Sequence, residues 1–405
     1  MTCPANSDVP TILFGAFDRH NFGDLLFPHI AAALLSDRNL RYAGLLARDL
    51  RCYGGHQVRA LAHIAAEQDT RPVNLVHVGG ELLTCDAWQA AVMLLPADQV
   101  QAIIARLRAR PQEKQEWASR QLGLSARAPY CVSRLLLPQM AKMVYVGVGG
   151  VALDESESAF RAEVLASLKS ADFVSVRDRQ TQAQLESAGI PVRLIPDPAV
   201  MVAELFGSRI HQRTQASEIA RILGTFPHGY IAVQFSADFS DDATLDMIAA
   251  QLEQAAMESG YGVVFFRAGA APWHDDLSCF LRVASRMCLA SVTIFKSLNL
   301  WDICALIANS RVYCGSSLHG RIVAMAFALP RFNFLPVAQE NHISKQAAFA
   351  ATWDATSSPG VVGVHQIALG ICQALAEDSG QYLRIARELS TRYRQEFSAI
   401  RAGLA

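Results

Sequence analysis

The chain has 405 residues, of which 51% are hydrophobic and 18% charged; this fits a packed globular protein of about two to three domains and excludes a disordered one. The formal net charge of −1 lacks the basic excess of a nucleic-acid binder. No apolar run reaches the roughly 20 residues that cross a bilayer, and the N-terminal MTCPANSDVP has neither the basic segment nor the apolar stretch of a signal peptide. The nine cysteines are scattered, odd in number and free of C-x-x-C pairs, as expected for reduced thiols in a cytosolic protein and not for a disulfide framework or a zinc site.

Taken in chain order, Thr11–Phe17 reads as a strand, followed by the polar turn DRHNFGD and a helix over Asp24–Ser36. Arg41–Ala47 reads as a second strand, His56–Glu67 as a helix, and Asn74–Gly80 as a third strand ending in paired glycines. Residues 86–140 have weak periodicity and read as an insertion, with a helix over Asp98–Arg110 capped by Asp98. Regular alternation resumes with strand Lys142–Gly150, helix Glu157–Ser170, strand Phe173–Arg177, helix Arg179–Ala188 and strand Val192–Ile195. Residues 206–228 are polar, contain Gly207, Gly224 and Pro227, and read as a hinge. A second alternation follows: strands Tyr230–Phe235, Val263–Arg267, Ser291–Phe295, Arg311–Cys314 and Arg331–Leu335, and between them helices Asp242–Ser259, Asp275–Cys288, Trp301–Asn309 and Leu318–Leu329. The tail, Val364–Arg401, reads as two helices, the second with a solvated face of interleaved Arg and Glu.

Apolar strands alternating with helices imply parallel sheets covered on both faces. The expected architecture is α/β: two Rossmann-like doubly wound domains facing a cleft, one over residues 1–205 and one over 206–362, with C-terminal helices over 363–405. Such sheets bind ligands beyond the carboxyl ends of their strands, so the turns there are the candidate site. In the first turn, Gly23 permits φ > 0, Asp24 can cap the following helix, and the helix start can attract an anion. It is not G-x-G-x-x-G, so no dinucleotide is implied. Gly79 and Gly80 allow close approach at the next strand end, where Glu81 is a base or a dipole partner. Gly147–Gly150 either packs tightly or leaves room for substrate. Arg177 ends an apolar strand, where a guanidinium can bind a carboxylate or phosphate in bidentate fashion or simply pair with Asp178. Asp197, held extended before Pro198, either tethers the crossover or lines the cleft.

In the second half, Arg267 ends a strand, His274 lies in the loop AGAAPWHDD, and His342 and Lys345 follow the last strand. The stretch Cys314–Pro330 runs from a strand through Ser316, Ser317, His319 and Gly320 into a helix. His319 suits proton transfer near neutral pH, although a histidine at a helix start also serves as a cap or a surface residue. No G-x-S-x-G elbow, H-E-x-x-H or Cys/His cluster occurs, so no metal is expected.

In this order, Asn21–Asp24, Gly79–Gly80, Gly147–Gly150, Val174–Asp178, Asp197–Ala199 and Ser316–Pro330 resemble the motifs of the polysaccharide pyruvyl transferase family over about residues 11–350. The resemblance implies a GT-B-like fold and transfer of a pyruvyl group from phosphoenolpyruvate to sugar hydroxyls, forming a ketal with release of phosphate, without a cofactor. It implies catalytic or donor-binding roles for Arg177 and His319, with Lys345 the nearest match to the family's lysine. The donor site it suggests comprises Asn21, Gly23, Asp24, Gly79, Gly80, Ser316, Ser317, Gly320 and Lys345. The chain departs from the pattern at Ser317, where many members have Arg, at Glu81, where many have Gly, and in its enlarged 86–140 segment, which could shape an acceptor pocket. The implied acceptor is a lipid-linked or nucleotide-linked precursor of cell-surface polysaccharide, handled in the cytoplasm or at the inner face of the membrane. The competing expectations are a GT-B glycosyltransferase using a nucleotide sugar and an inactive family member serving as a binding or assembly subunit.

Overall fold

The computed structural model describes residues 9–67, 71–215, 217–288, 290–336 and 343–404. The N-terminal half builds one sheet from β1 (Thr11–Phe14), β2 (Leu40–Gly44), β3 (Arg48–Asp49), β4 (Gln57–Ala60), β5 (Val73–Val78), β6 (Met140–Val148), β7 (Phe173–Val176) and β8 (Arg193–Leu194). Their spatial order is β3-β4-β2-β1-β5-β6-β7-β8, all parallel except for β3 against β4. The C-terminal half builds a second parallel sheet from β9 (Tyr230–Gln234), β10 (Gly262–Phe265), β11 (Val292–Ile294), β12 (Val312–Gly315), β13 (Arg331–Leu335) and β14 (Val361–Gly363), in the order β11-β10-β9-β12-β13-β14. The chain is therefore α/β, with two doubly wound domains.

Each sheet reverses its winding once. The first does so between β1 and β5, the second between β9 and β12. A crevice opens at such a reversal because the helices on either side leave in opposite directions. The central strands are apolar because both faces are covered: every residue of β5 and β9 is buried.

The structure changes several local expectations. Residues 57–60 alternate exposed and buried as a strand between β2 and β3, so only Leu61–Ala66 of the expected His56–Glu67 helix is helical. Residues 206–228 are no hinge. They fall mostly within the helices Val202–Arg213 and Ser217–Thr225, whose Ile210, Ile219 and Ile222, with Phe226 just beyond, enter the core. Their polar neighbours hid that face in the sequence. The 86–140 segment contains three helices, Ala87–Met93, Ala97–Leu107 and Pro111–Leu122; Asp98 lies in the first turn of the second helix, and Pro96 takes the cap position. A helix at Lys345–Trp353 and strand β14 were not expected.

The last helix, Ser379–Gly403, returns to the N-terminal domain. It buries Ile385, Leu389, Tyr393, Phe397 and Ile400 at helical spacing, and Arg392 donates to the Leu194 carbonyl at 3.0 Å. Glu396 pairs with Arg193 at 3.2 Å and Arg401 with Asp37 at 2.6 Å. The face that reads as solvated in the sequence thus carries ion pairs to the other domain.

Beneath the second sheet, Asp354 holds two buried guanidinium groups, Arg321 and Arg331, each at 2.5 Å. Burial pushes the Asp354 carboxyl up, but the two arginines outweigh it and hold it below its ordinary value. Breaking one member of a buried ion network leaves uncompensated charge, so Asp354→Ala should cost about 3–5 kcal/mol, seen as a fall in Tm of roughly 5 °C. Asp37→Ala, which breaks the half-exposed pair with Arg401, should cost no more than about 1 kcal/mol. Equal melting temperatures for the two variants would contradict this assignment.

Candidate functional site

A cavity of about 700 Å³ lies between the domains at both winding reversals. The N-terminal domain lines it with Arg19, Asn21, Asp24, Glu81 and Arg177, together with Gln89 and Met93 from the 86–140 segment. The C-terminal domain contributes Gln234, His274, Asp275, Ser316, Ser317, His319, Lys345 and Gln346. Of the residues singled out in the sequence, Asn21, Asp24, Glu81, Arg177, His274, Ser316, Ser317, His319 and Lys345 reach the cavity.

His319 lies in the first turn of the helix Leu318–Ala326, 7% exposed. Ser317 caps that helix by accepting from the Gly320 N–H at 3.2 Å, and its own N–H donates to Gln234 Oε1 at 2.8 Å. The imidazole rests edge-on against Phe27, with ring centroids 5.1 Å apart. It also lies over Gly23, where an added Cβ would come within 2.0 Å of Nδ1. Gly23 is therefore needed for space and not for a positive φ. The cap of its helix is Asn21, whose side chain accepts from the Gly23 N–H at 3.2 Å, and Asp24 sits in the first turn.

The Nε2 of His319 faces Asp197 Oδ2 at 3.8 Å and has no hydrogen-bond partner. Asp197 is fully buried; its Oδ2 accepts from Arg177 Nη1 at 3.0 Å and its Oδ1 from the Ala199 N–H at 2.9 Å. Burial pushes the Asp197 carboxyl up, but His319, Arg177 and the Ala199 N–H together outweigh it and hold it below its ordinary value. The other end of the Arg177 guanidinium meets Glu81 Oε2 at 2.5 Å, and Glu81 Oε1 accepts from the Val151 N–H at 3.0 Å. A side chain at Gly149 would come within 2.4 Å of Glu81 Oε2, so the glycine turn after β6 makes room for the ion pair. Asp178 is not the partner of Arg177; it caps the next helix through the Thr181 N–H at 2.7 Å.

Gly79, Gly80 and Gly320 do not line the cavity. Gly79 and Gly80 hold φ values of +62° and +84° where β5 turns, with Gly79 against the Phe27 ring. Gly320 lets the Tyr313 hydroxyl, which donates to the Ser317 carbonyl at 3.0 Å, pack against the helix. The Ser316 hydroxyl accepts from the Ser236 N–H at 3.0 Å, and its carbonyl accepts from Gln346 Nε2 at 2.6 Å.

Two cations stand beside this network. Lys345 begins the helix Lys345–Trp353, is exposed, and has no carboxylate within ion-pair distance among the described residues. Arg19 donates to the Tyr130 hydroxyl at 3.1 Å and approaches Asp24 at 3.5 Å, while its buried Nε has no partner. Arg19 was not singled out in the sequence, where nothing separates it from its polar neighbours. Of the charges that could replace an arginine at position 317, Arg321 is taken by Asp354 and Arg267 does not line the cavity, whereas Lys345 does. His342 lies outside the described residues.

The first turn also clasps the second domain. The Phe22 N–H donates to the Ala268 carbonyl at 2.9 Å, the Ala270 N–H to the His20 carbonyl at 3.1 Å, and His20 Nε2 bonds the Leu298 carbonyl at 2.7 Å. In the clasped loop, Asp275 accepts from the Ala268 N–H at 2.5 Å and from Gln234 at 2.7 Å; burial nevertheless pushes its carboxyl up to about 7. His274 Nδ1 donates to the Pro272 carbonyl at 3.0 Å, which leaves Nε2 as the acceptor, 3.4 Å from the Asn21 amide. Among the described residues no three His, Cys, Asp or Glu side chains gather as a metal site, and no helix is long and apolar enough to cross a membrane.

Residues 65–335 match the family model described as polysaccharide pyruvyl transferase. No curated protein matches the sequence significantly. Among solved structures, UDP-N-acetylglucosamine 2-epimerase from Rickettsia bellii is similar with a TM-score of 0.55 at 12% identity, covering 98% of this chain and 96% of that one. UDP-GlcNAc 2-epimerase from Methanocaldococcus jannaschii, in complex with UDP-GlcNAc and UDP, is similar with a TM-score of 0.51 at 10% identity, covering 94% and 99%. Both are GT-B fold enzymes, and at this identity the likeness establishes the fold alone.

Burial, with Arg19 and Lys345 nearby, lowers the His274 pKa from 6.5 to about 4. Unfolding therefore takes up a proton between those values, and the contribution of His274 to stability is lost as pH falls through them. His274→Gln should gain stability relative to the wild type as pH falls from about 6.5 to about 4, measured by thermal melts; a difference constant with pH would contradict the buried neutral imidazole.

Proposed function

Because the chain belongs to the polysaccharide pyruvyl transferase family, we propose that it moves the pyruvyl group of phosphoenolpyruvate onto two hydroxyls of a sugar, forming a ketal and releasing phosphate. The observation that carries this reading is His319: its side chain lines the cavity together with Lys345 and Arg19, while its buried Nε2, without a hydrogen-bond partner, faces an anionic Asp197 behind the cavity wall.

Phosphoenolpyruvate is a small, multiply charged anion. Lys345 and Arg19 are the cations that meet it, and the start of the Leu318–Ala326 helix adds oriented N–H groups. Arg177 has both ends engaged by carboxylates, so its role is to position Asp197 and Glu81 rather than to grip the donor. In the reaction, C3 of the donor gains a proton and a sugar oxygen bonds to C2. The C2–O bond to phosphate then breaks and a second sugar oxygen takes its place. Of the two hydroxyl protons lost, one balances that gained by C3 and the other leaves with phosphate. His319 accepts a hydroxyl proton, and Asp197 stabilises the imidazolium that forms. A lipid-linked or nucleotide-linked glycan precursor in the cytoplasm suits this chemistry as acceptor.

Phosphoenolpyruvate should raise the Tm, and Lys345→Ala should reduce the shift. Stabilisation by a nucleoside-diphosphate sugar with none by phosphoenolpyruvate would replace this reading with a glycosyltransferase. His319→Gln should keep the shift but lower the rate of phosphate release by about 10²-fold or more; near-normal release would remove the proton-transfer role.

A further inference from the structure

We propose that Trp273 is the platform on which the pyranose ring of the acceptor stacks; this rests on the reading of the cavity as a pyruvyl-transfer site. Trp273 lines the cavity yet is 44% exposed, and no other aromatic ring packs on it among the described residues. Its backbone lies at φ +63°, a left-handed conformation that costs a bulky residue of order 1–3 kcal/mol and persists only where the surroundings over-determine it.

Those surroundings are in place on both sides. The His274 N–H donates to the Ala271 carbonyl at 3.1 Å, and the Asp275 N–H to the Gly269 carbonyl at 3.2 Å. The Ala237 N–H reaches the His274 carbonyl at 2.9 Å. The clasp from His20 fixes Ala270 and Ala271. The indole lines a polar cavity on a strained, well-tethered loop and leaves nearly half of its surface uncovered. Its large, rigid face suits the C–H-lined face of a sugar ring.

The cavity has room for such a ring. About 700 Å³ falls in the range that holds drug-sized ligands, well beyond a three-carbon phosphate. Its apolar lining includes Phe239 and Leu335 of the second domain and Met93 of the 86–140 segment, so the sugar would lie between the Trp273 loop and that segment.

The test measures binding of a panel of p-nitrophenyl pyranosides (galactoside, glucoside and N-acetylmannosaminide) by calorimetry, separately from the melting shift with phosphoenolpyruvate. At least one should bind the wild type; Trp273→Ala should weaken it by about tenfold and Trp273→Phe by less. Trp273→Gly, which accepts φ +63° without strain, should fold at least as stably as the wild type and lose the same affinity. The phosphoenolpyruvate shift should be unchanged in all three variants. Unaltered pyranoside affinity in Trp273→Gly, or no pyranoside binding by the wild type, would overturn the platform while leaving the donor reading intact. Absence of the phosphoenolpyruvate shift in the wild type would overturn the donor reading, and the pyranoside arm would still decide the platform.

Discussion

The site depends on one buried chain of charge running from Glu81 through Arg177 and Asp197 to His319. Arg177 and Asp197 are each at least 99% buried, where isolated charges would be prohibitive. They persist because each satisfies the other at 3.0 Å, and because Glu81 and His319 close the two ends. The arrangement joins the domains, since His319 belongs to the second and the other three to the first. Any rotation that opened the cleft here would separate Asp197 from its imidazole. The clasp between the first turn and the loop at 268–275 resists that rotation on the other side of the cavity.

This network gives Glu81 a physical role. A third glycine there would leave one end of the buried Arg177 guanidinium without its carboxylate partner. Ser317, in place of arginine, caps the His319 helix, and the cavity keeps positive charge through Lys345 and Arg19. Both departures from the family pattern are compatible with an assembled site, which weighs against an inactive binding subunit.

Much of this was legible in the sequence. The alternation of apolar strands and helices carries the two sheets, because strands covered on both faces cannot hide their composition. The strand-end turns pointed to Asn21, Arg177 and His319, which do meet in one cavity. What sequence could not show was which glycines face a ligand. Gly23 makes space for an imidazole from the other domain and Gly149 for an ion pair, and these partners are far away in sequence; Gly320 makes space for the hydroxyl of the nearby Tyr313. For the same reason the partners of Arg177 were missed, since Glu81 and Asp197 lie 96 and 20 residues away. Residues 206–228 read as a hinge from their polarity and from Gly207, Gly224 and Pro227, which mask the few buried isoleucines of the two helices there.

The direct test of this charge chain is the rate of phosphate release from phosphoenolpyruvate by Asp197→Asn, which keeps the side-chain volume and removes the charge. If Asp197 stabilises the His319 imidazolium, turnover should fall by about 10²-fold or more while phosphoenolpyruvate still raises the Tm. Turnover within about twofold of the wild type would contradict the account.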